Sequence, residues 1–452
     1  MNQAAWRLTP VLIAASLALA PSGAKAGAKA DAVLPIPYED AKPVLDANGK
    51  TITAVEWPAW VATRNAEIRD RLAQGDEDSV VNLWLYGTSF TKLPRVTDRE
   101  ATELANPEKV QDLLLARLDD FVAALARPGT NERLVFARDL ITRKGISVAS
   151  EAGRDRAKEY LVAARERVIA ENERYRRAAA SPSEYSTLFR DRGLSSDTRL
   201  TASFAIDKAL EALAASGRVS AGGIKRIAIV GPGLDFTDKA EGYDFYPQQT
   251  IQPFAIVDSL VRLEACARCD GLEVTTLDLS PRVNRHLDAA RRRALAGSAY
   301  VVQLPLPRDQ PSHEWHPDLV AYWQRFGAAI GKAVPAAPVP AVVGEVRVRA
   351  VAIRPSIVTA ITTRDVNIIL ERTGGEPFDL IVATNILVYY DGFEQGLALA
   401  NIAKMLKPGG FFLTNYAVTP MAPMETTSSL KTAVFFDRQG NGDTIYAYQR
   451  RD

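Results

Sequence analysis

The sequence is poor in the side chains that most often bind metals or act as nucleophiles. Its 452 residues include only two cysteines and three histidines. Cys266 and Cys269 stand three positions apart, and a metal site would need further ligands beside them. Two interpretations stay open for this pair: a local disulfide in an exported protein, or two small residues that face the interior of a helix. Both interpretations are structural.

The sequence also lacks an excess of charge of either sign. Its 55 Lys and Arg residues balance 54 Asp and Glu residues, so the formal net charge is +1. A protein that binds nucleic acid or an anionic membrane through its overall field carries a basic surplus, and neither partner is indicated here. The length allows two or three domains with a large buried core.

Long apolar runs are absent after the N-terminus. Residues 8–20 are mostly apolar, follow a positively charged start, and precede the small-residue sites at 24–26 and 28–30. This order predicts a cleavable secretory signal over residues 1–26, and hence a periplasmic or secreted protein with no transmembrane segment. The alternative is a mis-assigned start or a disordered alanine-rich tail, which would leave the protein in the cytoplasm.

The most ordered pattern of the chain lies near its C-terminus. Leu380 to Ala383 is apolar without polar alternation, which is typical of a strand buried on both faces of a parallel sheet. A helical pattern follows and is predicted to end at Lys407-Pro408-Gly409-Gly410. A second apolar run, Phe411 to Leu413, comes directly after. The stretch predicts a strand-helix-strand unit of an α/β sheet.

The segment FDLIVATNILVYYD at 378–391, followed by LKPGG at 406–410, resembles the fourth and fifth strands of class I S-adenosylmethionine (SAM)-dependent methyltransferases. Its portion NILVYY, residues 385–390, is similar to the chemotaxis-receptor methyltransferases. The resemblance covers roughly residues 224–452. It implies a doubly wound, mainly parallel seven-stranded α/β sheet with a terminal antiparallel hairpin, and methyl transfer from SAM.

A glycine loop follows the apolar run Ile227 to Val230, and the resemblance implies that it takes the amino-acid end of SAM. Glycines at this edge of a parallel sheet let the backbone approach a ligand closely. The match is partial, because Ile229 stands where the family has an acid and Asp235 where it has a third glycine. Two other interpretations are a dinucleotide fold, in which Phe236 replaces the third glycine, and a glycine turn without a ligand. The predicted cofactor contacts here are Gly231, Gly233 and Asp235.

Further site residues follow from the resemblance. Asp278 comes after the predicted second strand, where a carboxylate accepts hydrogen bonds from both ribose hydroxyls. It could instead belong to the start of the next helix, at Ser280-Pro281. Asp365 is the candidate against the adenine amino group, with a surface turn as the alternative.

The acceptor side of the site is predicted after the fourth strand. Asn385 is a candidate contact for both cofactor and acceptor, and Tyr389 and Tyr390 lie where the acceptor should approach. Tyr389 could also be a plain core residue, because its spacing from Asn385 is helical.

The first half of the mature chain is predicted to be mostly helical and to contain no catalytic motif. Its first long helix begins at Trp57 and is predicted to end at Gly75. The predicted domains are a signal peptide (1–26), a helical N-terminal domain (27–221) and a methyltransferase-like domain (222–452) with insertions near 236–252 and 297–345.

Two parts of these insertions invite a functional interpretation. The aromatic loop Gly242 to Pro247 could close over an adenosine or a substrate, or it could pack onto the helical domain. His313 and His316 have neither a helical frame nor a third fixed ligand, so no metal is predicted there.

Export and activity point in different directions, because cells make SAM in the cytosol. One hypothesis is a SAM-dependent methyltransferase with an unknown small-molecule or protein acceptor. The other is an exported, non-catalytic binding or interaction protein that keeps the fold. The altered glycine loop favours the second hypothesis, whereas Asp278 and Gly231-x-Gly233 favour the first. The oligomeric state does not follow from the sequence.

Overall fold

The structure, a computed structural model, describes residues 32–96, 106–178, 193–238, 241–266, 271–307, 314–421, 424 and 430–451. The predicted secretory signal over residues 1–26, Cys269 and His313 lie outside these residues. None of the described helices is both long enough and apolar enough to span a membrane.

Helices dominate the first half of the described chain, as predicted, and strands alternate with helices in the second half. The helices are α1 (Tyr38–Ala47), α2 (Trp57–Tyr86), α3 (Pro107–Ala126), α4 (Glu132–Arg143), α5 (Glu151–Ala178), α6 (Leu200–Ala215), α7 (Gln252–Arg262), α8 (Pro281–Leu295), α9 (Pro317–Arg325), α10 (Pro355–Thr359) and α11 (Gly392–Met405). The strands are β1 (Val33–Pro35), β2 (Arg226–Val230), β3 (Glu273–Leu277), β4 (Tyr300–Pro307), β5 (Gly331–Val334), β6 (Val346–Ile353), β7 (Ile361–Arg364), β8 (Glu371–Thr373), β9 (Phe378–Ala383), β10 (Leu406–Thr414), β11 (Leu430–Phe435) and β12 (Gly442–Gln449).

A seven-stranded sheet lies at the centre, with the strand order β7-β3-β2-β9-β10-β12-β11. The strands from β7 to β10 are parallel, β12 runs antiparallel to β10, and β11 pairs antiparallel with β12. The α/β class and the mainly parallel seven-stranded sheet predicted from the sequence are confirmed. Because all parallel strands point the same way, their carboxyl ends meet along one edge.

Alternate residues of the central strands pack into two separate cores, one on each face of the sheet. Ile227 and Ile229 of β2 contribute to the core under α6, α7 and α8. Ala228 and Val230 contribute to the core under α1, the first half of α2 and α11. Burial on both faces explains why these strands show no polar alternation.

The predicted insertion at 297–345 contributes a small sheet of its own. Strands β4, β6 and β5 form a three-stranded antiparallel sheet in that order. Helix α9 precedes β5 and ends at Arg325. Gly327 follows the end of α9 with a φ of +83° and packs beside Val351. A Cβ on Gly327 would lie only 2.7 Å from a methyl group of Val351.

The turn at residues 407–410 was predicted to end a helix. In the structure α11 ends at Met405, and residues 407–410 lie within β10. They interrupt the pairing of β10 with β9, whose register shifts between Leu406 and Phe411. Gly409 adopts φ +80° there. The glycine therefore permits an irregular strand rather than a helix cap.

The end of α2 was predicted at Gly75, and this prediction was wrong because the helix continues to Tyr86. Gly75 lies in mid-helix because another segment crosses it. A Cβ on Gly75 would overlap the Leu194 carbonyl, and a Cβ on Gly193 would lie 2.7 Å from the Gly75 nitrogen. The Leu194 N–H also donates to the Arg71 carbonyl oxygen at 2.9 Å. The glycine therefore serves a tertiary contact.

The helices α2 to α5 form a third core, which includes Trp84, Phe121 and Leu140. By contrast, α1 and α6, which also belong to the predicted helical domain, pack on the two faces of the central sheet. The boundary between residues 221 and 222 stays a prediction.

The aromatic loop at 242–247 packs onto the helical domain, which confirms the second of its two interpretations. Asp244 accepts hydrogen bonds from the Thr88 N–H (2.7 Å), the Thr88 hydroxyl (2.8 Å) and the Ser89 N–H (3.0 Å), just beyond α2. Tyr243 and Tyr246 are buried. The loop therefore ties the sheet to the helices.

Candidate functional site

A cavity of about 510 Å³ lies at the carboxyl edge of the central sheet. Its size is within the range of small-molecule sites. Residues from the ends of β2, β3, β9 and β10 line it, together with one residue of α2 and a segment between α5 and α6. The lining residues are Leu72, Leu194 to Arg199, Val230, Gly231, Gly233, Gln252, Leu277 to Leu279, Val366, Ile368, Thr384 to Ile386, Val388 to Tyr390, Asn415 and Tyr416.

Asp278 is the acidic group at the end of β3, and it is only 8% exposed. Its Oδ1 accepts a hydrogen bond from the Ser280 N–H at 2.7 Å, and the Gly233 N–H also bonds to its carboxylate. Burial raises the pKa of this carboxyl to about 7, against the opposing effect of those two donors and of Arg282. Asp278 therefore titrates near neutral pH at the wall of the cavity.

The glycine loop supplies shape rather than hydrogen-bond donors. Gly231 and Gly233 adopt φ +63° and +67°. The Gly231 N–H donates to the Leu277 carbonyl oxygen (2.9 Å), and the Leu234 N–H donates to the Ser196 carbonyl oxygen (2.7 Å). With the Gly233 N–H on Asp278, the loop's donors are already used within the protein. A Cβ on Gly233 would lie 2.8 Å from the Ser196 oxygen, so the loop needs glycine there.

The segment from Ser195 to Arg199 lines the cavity, although no local sequence pattern indicates it. It runs parallel to the glycine loop, where the Thr198 N–H donates to the Leu234 carbonyl oxygen at 3.1 Å. Arg199 is exposed and stands at the N-cap of α6, without a side-chain cap bond. Its guanidinium makes no ion pair within 4 Å among the described residues.

Gln252, at the start of α7, is a second residue that the sequence did not single out. It is 3% exposed, and its Nε2 donates to the Thr384 hydroxyl at 2.7 Å. Its Oε1 is buried without a partner in the described part of the chain. A buried acceptor that lacks a donor is rare, and a ligand group with an N–H would satisfy it.

Asn385 stands at the mouth of the cavity in a left-handed backbone conformation, φ +57°. Its N–H donates to Asn415 Oδ1 (2.8 Å), while Asn415 Nδ2 donates to Asn385 Oδ1 (2.8 Å). A non-glycine residue with positive φ is uncommon and is often found at a functional site. The pair of amides fixes the orientation of the Asn385 side chain.

Tyr389 and Tyr390 both line the cavity, as does Asn385, so three predicted acceptor-side residues lie together. Arg71 of α2 donates to the Tyr389 carbonyl oxygen at 2.8 Å, and its guanidinium lies 5.6 Å from the centre of the Tyr390 ring. Burial raises the pKa of the Tyr390 hydroxyl well above its ordinary value. The Tyr390 hydroxyl therefore stays protonated, and the residue forms part of the cavity wall.

Asp235 and Asp365, both predicted as cofactor contacts, lie outside the cavity. Asp235 pairs with Gln249 in an isolated backbone bridge, and its carboxylate accepts hydrogen bonds from the Tyr246 hydroxyl (2.8 Å) and from Gln249 Nε2 (3.0 Å). Burial raises the pKa of Asp235 to about 7. Asp365 makes a half-exposed ion pair with Arg69 at 2.9 Å.

The chain shows no metal centre in its described part, where no three His, Cys, Asp or Glu residues are grouped to hold an ion. His316 caps α9, since its Nδ1 accepts a hydrogen bond from the Asp318 N–H at 3.3 Å. Cys266 is disulfide-bonded.

No family model matches the sequence, and neither does any curated protein. Solved structures do match. The N-methyltransferase NodS from Bradyrhizobium japonicum WM9 is 13% identical, over 55% of this chain and 95% of that chain, with a TM-score of 0.25. The glycopeptide N-methyltransferase MtfA, complexed with SAM, is 14% identical over 54% and 66% of the two chains, with a TM-score of 0.21.

An O-methyltransferase family protein from Burkholderia thailandensis is 9% identical, over 60% of this chain and 61% of that chain, with a TM-score of 0.23. Scores of this size carry no argument about function. What the chain has by itself is the mainly parallel seven-stranded sheet implied by the resemblance to class I methyltransferases, with a cavity at the carboxyl edge.

Proposed function

We propose that the protein is a SAM-dependent methyltransferase whose SAM site is the cavity at the carboxyl edge of the central sheet. The observation that carries the proposal is the convergence of Asp278, Gly231, Gly233 and Gln252 on one cavity of about 510 Å³. Open α/β sheets bind their ligands at this edge.

The order of the strands determines how the chemical character of the cavity wall changes along the edge of the sheet. Val366 and Ile368 follow β7, Asp278 ends β3, the glycine loop follows β2, and Asn385 follows β9. From one flank to the other the wall therefore changes from apolar side chains to an acid, then to glycines, then to amides. SAM presents an aromatic base, a ribose diol and a charged amino acid in that order, which matches the apolar, acidic and glycine sections of the wall.

The residues at the polar end fit the amino-acid part of SAM. Arg199 brings a guanidinium to the cavity, and the N-terminus of α6 beside it favours negative charge, so both suit the carboxylate. Gln252 Oε1 is a buried acceptor without a donor, which suits the ammonium. Glycines at 231 and 233 leave the room that side chains would fill.

When bound, SAM supplies a methyl group on a sulfonium, which is an intrinsically good donor. The chain's own residues then have to hold donor and acceptor in line and keep water out. Asp278 orients the ribose end by accepting from its hydroxyls. Leu72 from α2 and the buried Tyr390 close the wall. Asn385, fixed by Asn415, stands where the acceptor enters.

Calorimetry with SAM and with its demethylated product, S-adenosylhomocysteine (SAH), tests the proposal. We expect one-to-one binding of both ligands. Arg199→Ala should weaken both by about tenfold or more, because a charge-assisted hydrogen bond contributes about 1.5–3 kcal/mol. Arg218, exposed beyond the other end of α6, provides the matched control, and Arg218→Ala should leave the affinity unchanged. Equal affinities in the two variants would contradict the role of Arg199.

The alternative hypothesis, an exported binding module without catalysis, predicts no binding of either ligand in the same titration. The likeness of residues 385–390 to the chemotaxis-receptor methyltransferases stays a prediction.

We also propose that residues 1–26 direct export. The disulfide at Cys266 supports this, because disulfides persist in oxidising compartments and are rare in the cytosol. N-terminal sequencing of the protein isolated from its native cell should begin at residue 27. A sequence that begins at Met1 would contradict export and would remove the conflict with cytosolic SAM.

A further inference from the structure

A second, shallower groove of about 440 Å³ adjoins the cavity. Asn415 and Tyr416 line both spaces, so the groove leads directly to the end of the cavity where Asn385 lies. Its other walls come from the hairpin of β11 and β12. None of these residues has a role in the binding of SAM proposed above, apart from the shared pair.

The groove carries a single negative charge. Asp443 is the one charged side chain among the described residues that line it. Its carboxylate is half-buried, and it makes no ion pair within 4 Å in the described part of the chain. Burial has the largest effect on the Asp443 carboxyl and raises its pKa. The positive field of Arg199 opposes this effect and lowers the pKa. A partly desolvated carboxylate that has no cation in contact favours a cationic ligand.

Three aromatic rings line the same groove as this carboxylate. Tyr416, Tyr446 and the 54%-exposed Phe435 line the groove. Lys431 Nζ already lies 5.6 Å from the centre of the Tyr446 ring, so Tyr416 and Phe435 are the rings left for a ligand. Aromatic faces attract cations and also bury apolar surface. The groove therefore suits a ligand with a positive head and an apolar body.

Acceptor oxygens converge where the groove meets the cavity. Asn415 Nδ2 donates both to Asn385 Oδ1 (2.8 Å) and to Asp443 Oδ2 (3.1 Å). The Thr444 N–H donates to Asp443 Oδ1 at 2.8 Å. Each of these oxygens retains a lone pair. An ammonium group has three N–H donors and can bind to several acceptors at one point.

We infer that this groove admits the methyl acceptor and that the acceptor is an amine, held as its ammonium by Asp443 with its apolar body against Phe435 and Tyr416. The inference rests on the proposed function, because the groove is assigned to the acceptor through its junction with the SAM site. A carboxylate acceptor would meet the like charge of Asp443. An alcohol would leave that charge uncompensated.

The chemistry of an amine acceptor balances with the groups present. Asp443 takes one proton from the ammonium, which frees the lone pair of nitrogen. That lone pair forms the new N–C bond to the methyl group of SAM, while the C–S bond breaks and its electron pair stays on sulfur. The methylated product leaves as an ammonium, and Asp443 releases its proton to water. Its raised pKa suits a general base.

Three probes with the same phenylethyl body test the class of the acceptor: 2-phenylethylamine, 2-phenylethanol and 3-phenylpropanoate. Their binding to protein saturated with SAH is measured by calorimetry at pH 8, where the amine is protonated. The amine should bind at least about tenfold more tightly than the other two, as expected for one charge-assisted hydrogen bond. Equal or tighter binding of the alcohol or the carboxylate, or no binding of the amine, overturns the inference.

Variants separate the groove from the cavity. Asp443→Asn should lose about tenfold in affinity for the amine while its affinity for SAH changes less than about twofold. Asp318→Asn removes an exposed carboxylate outside the groove, and it should match the wild type. Unchanged amine binding in Asp443→Asn overturns the inference.

The two proposals fail separately. If SAH binds and the amine does not, the inference fails and the proposed function stands. If SAH does not bind, the probes are titrated into the ligand-free protein. An amine preference that depends on Asp443 then supports the groove as an amine site while the proposed function fails. No such preference overturns both.

Discussion

Replacing Asp278 with alanine is expected to weaken the binding of SAM and SAH by roughly 100-fold or more, because two hydrogen bonds to a carboxylate are lost. The variant also leaves the Ser280 and Gly233 N–H groups without their acceptor. Asp278→Asn is the matched variant, since its amide oxygen can still accept from Ser280. We expect it to keep the fold, judged by thermal unfolding, and to bind SAH weakly. Wild-type affinity in either variant would reject the site.

The pH dependence of binding gives a second test of Asp278. Its pKa in the folded protein is raised to about 7 from an ordinary 3.8, so the carboxyl is protonated below neutral pH. A protonated acid is a poorer acceptor for the ribose hydroxyls. Binding of SAH should therefore strengthen as pH rises through 7, by up to about tenfold per unit below it. Asp278→Asn should show no such dependence.

The unliganded protein should show the opposite trend in stability. Between its unfolded pKa near 3.8 and its folded pKa near 7, Asp278 binds a proton in the folded state only. Its contribution to the free energy of unfolding is therefore full below pH 4 and is lost as pH rises through 7. Asp235, whose pKa is also raised to about 7 by burial, contributes in the same direction. The difference between wild type and Asp278→Asn isolates Asp278.

Gly75→Ala is expected to destabilise the protein although it improves the helix. In an exposed helix interior, replacing glycine by alanine stabilises by about 1 kcal/mol. Here the new methyl group would overlap the Leu194 carbonyl, which is backbone and cannot rotate away. Overpacking of this kind costs about 1–3 kcal/mol. The free energy of unfolding in urea measures the net effect.

The same substitution should weaken the binding of SAH, because the displaced segment carries Leu194 and Arg199, which line the cavity. Gly392→Ala is the control, since a Cβ at this first residue of α11 would meet nothing within 4 Å. It should change neither stability nor affinity appreciably. If Gly75→Ala is as stable as Gly392→Ala, the close packing of α2 on residue 194 is contradicted.

The fold was predictable where a local pattern and the tertiary environment agree. The apolar runs in β2 and β9 lack polar alternation because both faces of these strands are buried, so the runs themselves mark strands. The start of α3 at Asn106-Pro107 was predictable from local residues alone. The Asn106 side chain accepts from the Glu108 N–H at 2.8 Å, a bond that depends only on neighbouring residues.

The candidate site was predictable only at the strand ends. Gly231, Gly233, Asp278 and Asn385 line the cavity because each lies within three residues of the end of a parallel strand. Asp365 follows a strand too, but its side chain pairs with Arg69 while its neighbour Val366 faces the cavity. A difference of one residue reverses the direction of a side chain, and the sequence does not fix that register.

The rest of the site depends on contacts between distant parts of the chain. Residues 195–199 have no periodic pattern, and they reach the cavity because Gly75 and Gly193 let the backbone cross α2. Gly75 was wrongly predicted to end the helix, because the sequence does not distinguish a glycine required by a tertiary contact from a glycine required by a turn. The unpartnered oxygen of Gln252 is visible only once Thr384 lies beside its amide.

The most direct test of the account is a crystal structure of the protein grown with SAH. We predict ligand density in the cavity at the carboxyl ends of β2, β3 and β9. The ribose hydroxyls should lie within hydrogen-bond distance of Asp278, and the carboxylate should lie beside Arg199. An empty cavity at saturating SAH, or SAH bound elsewhere on the protein, would contradict the account.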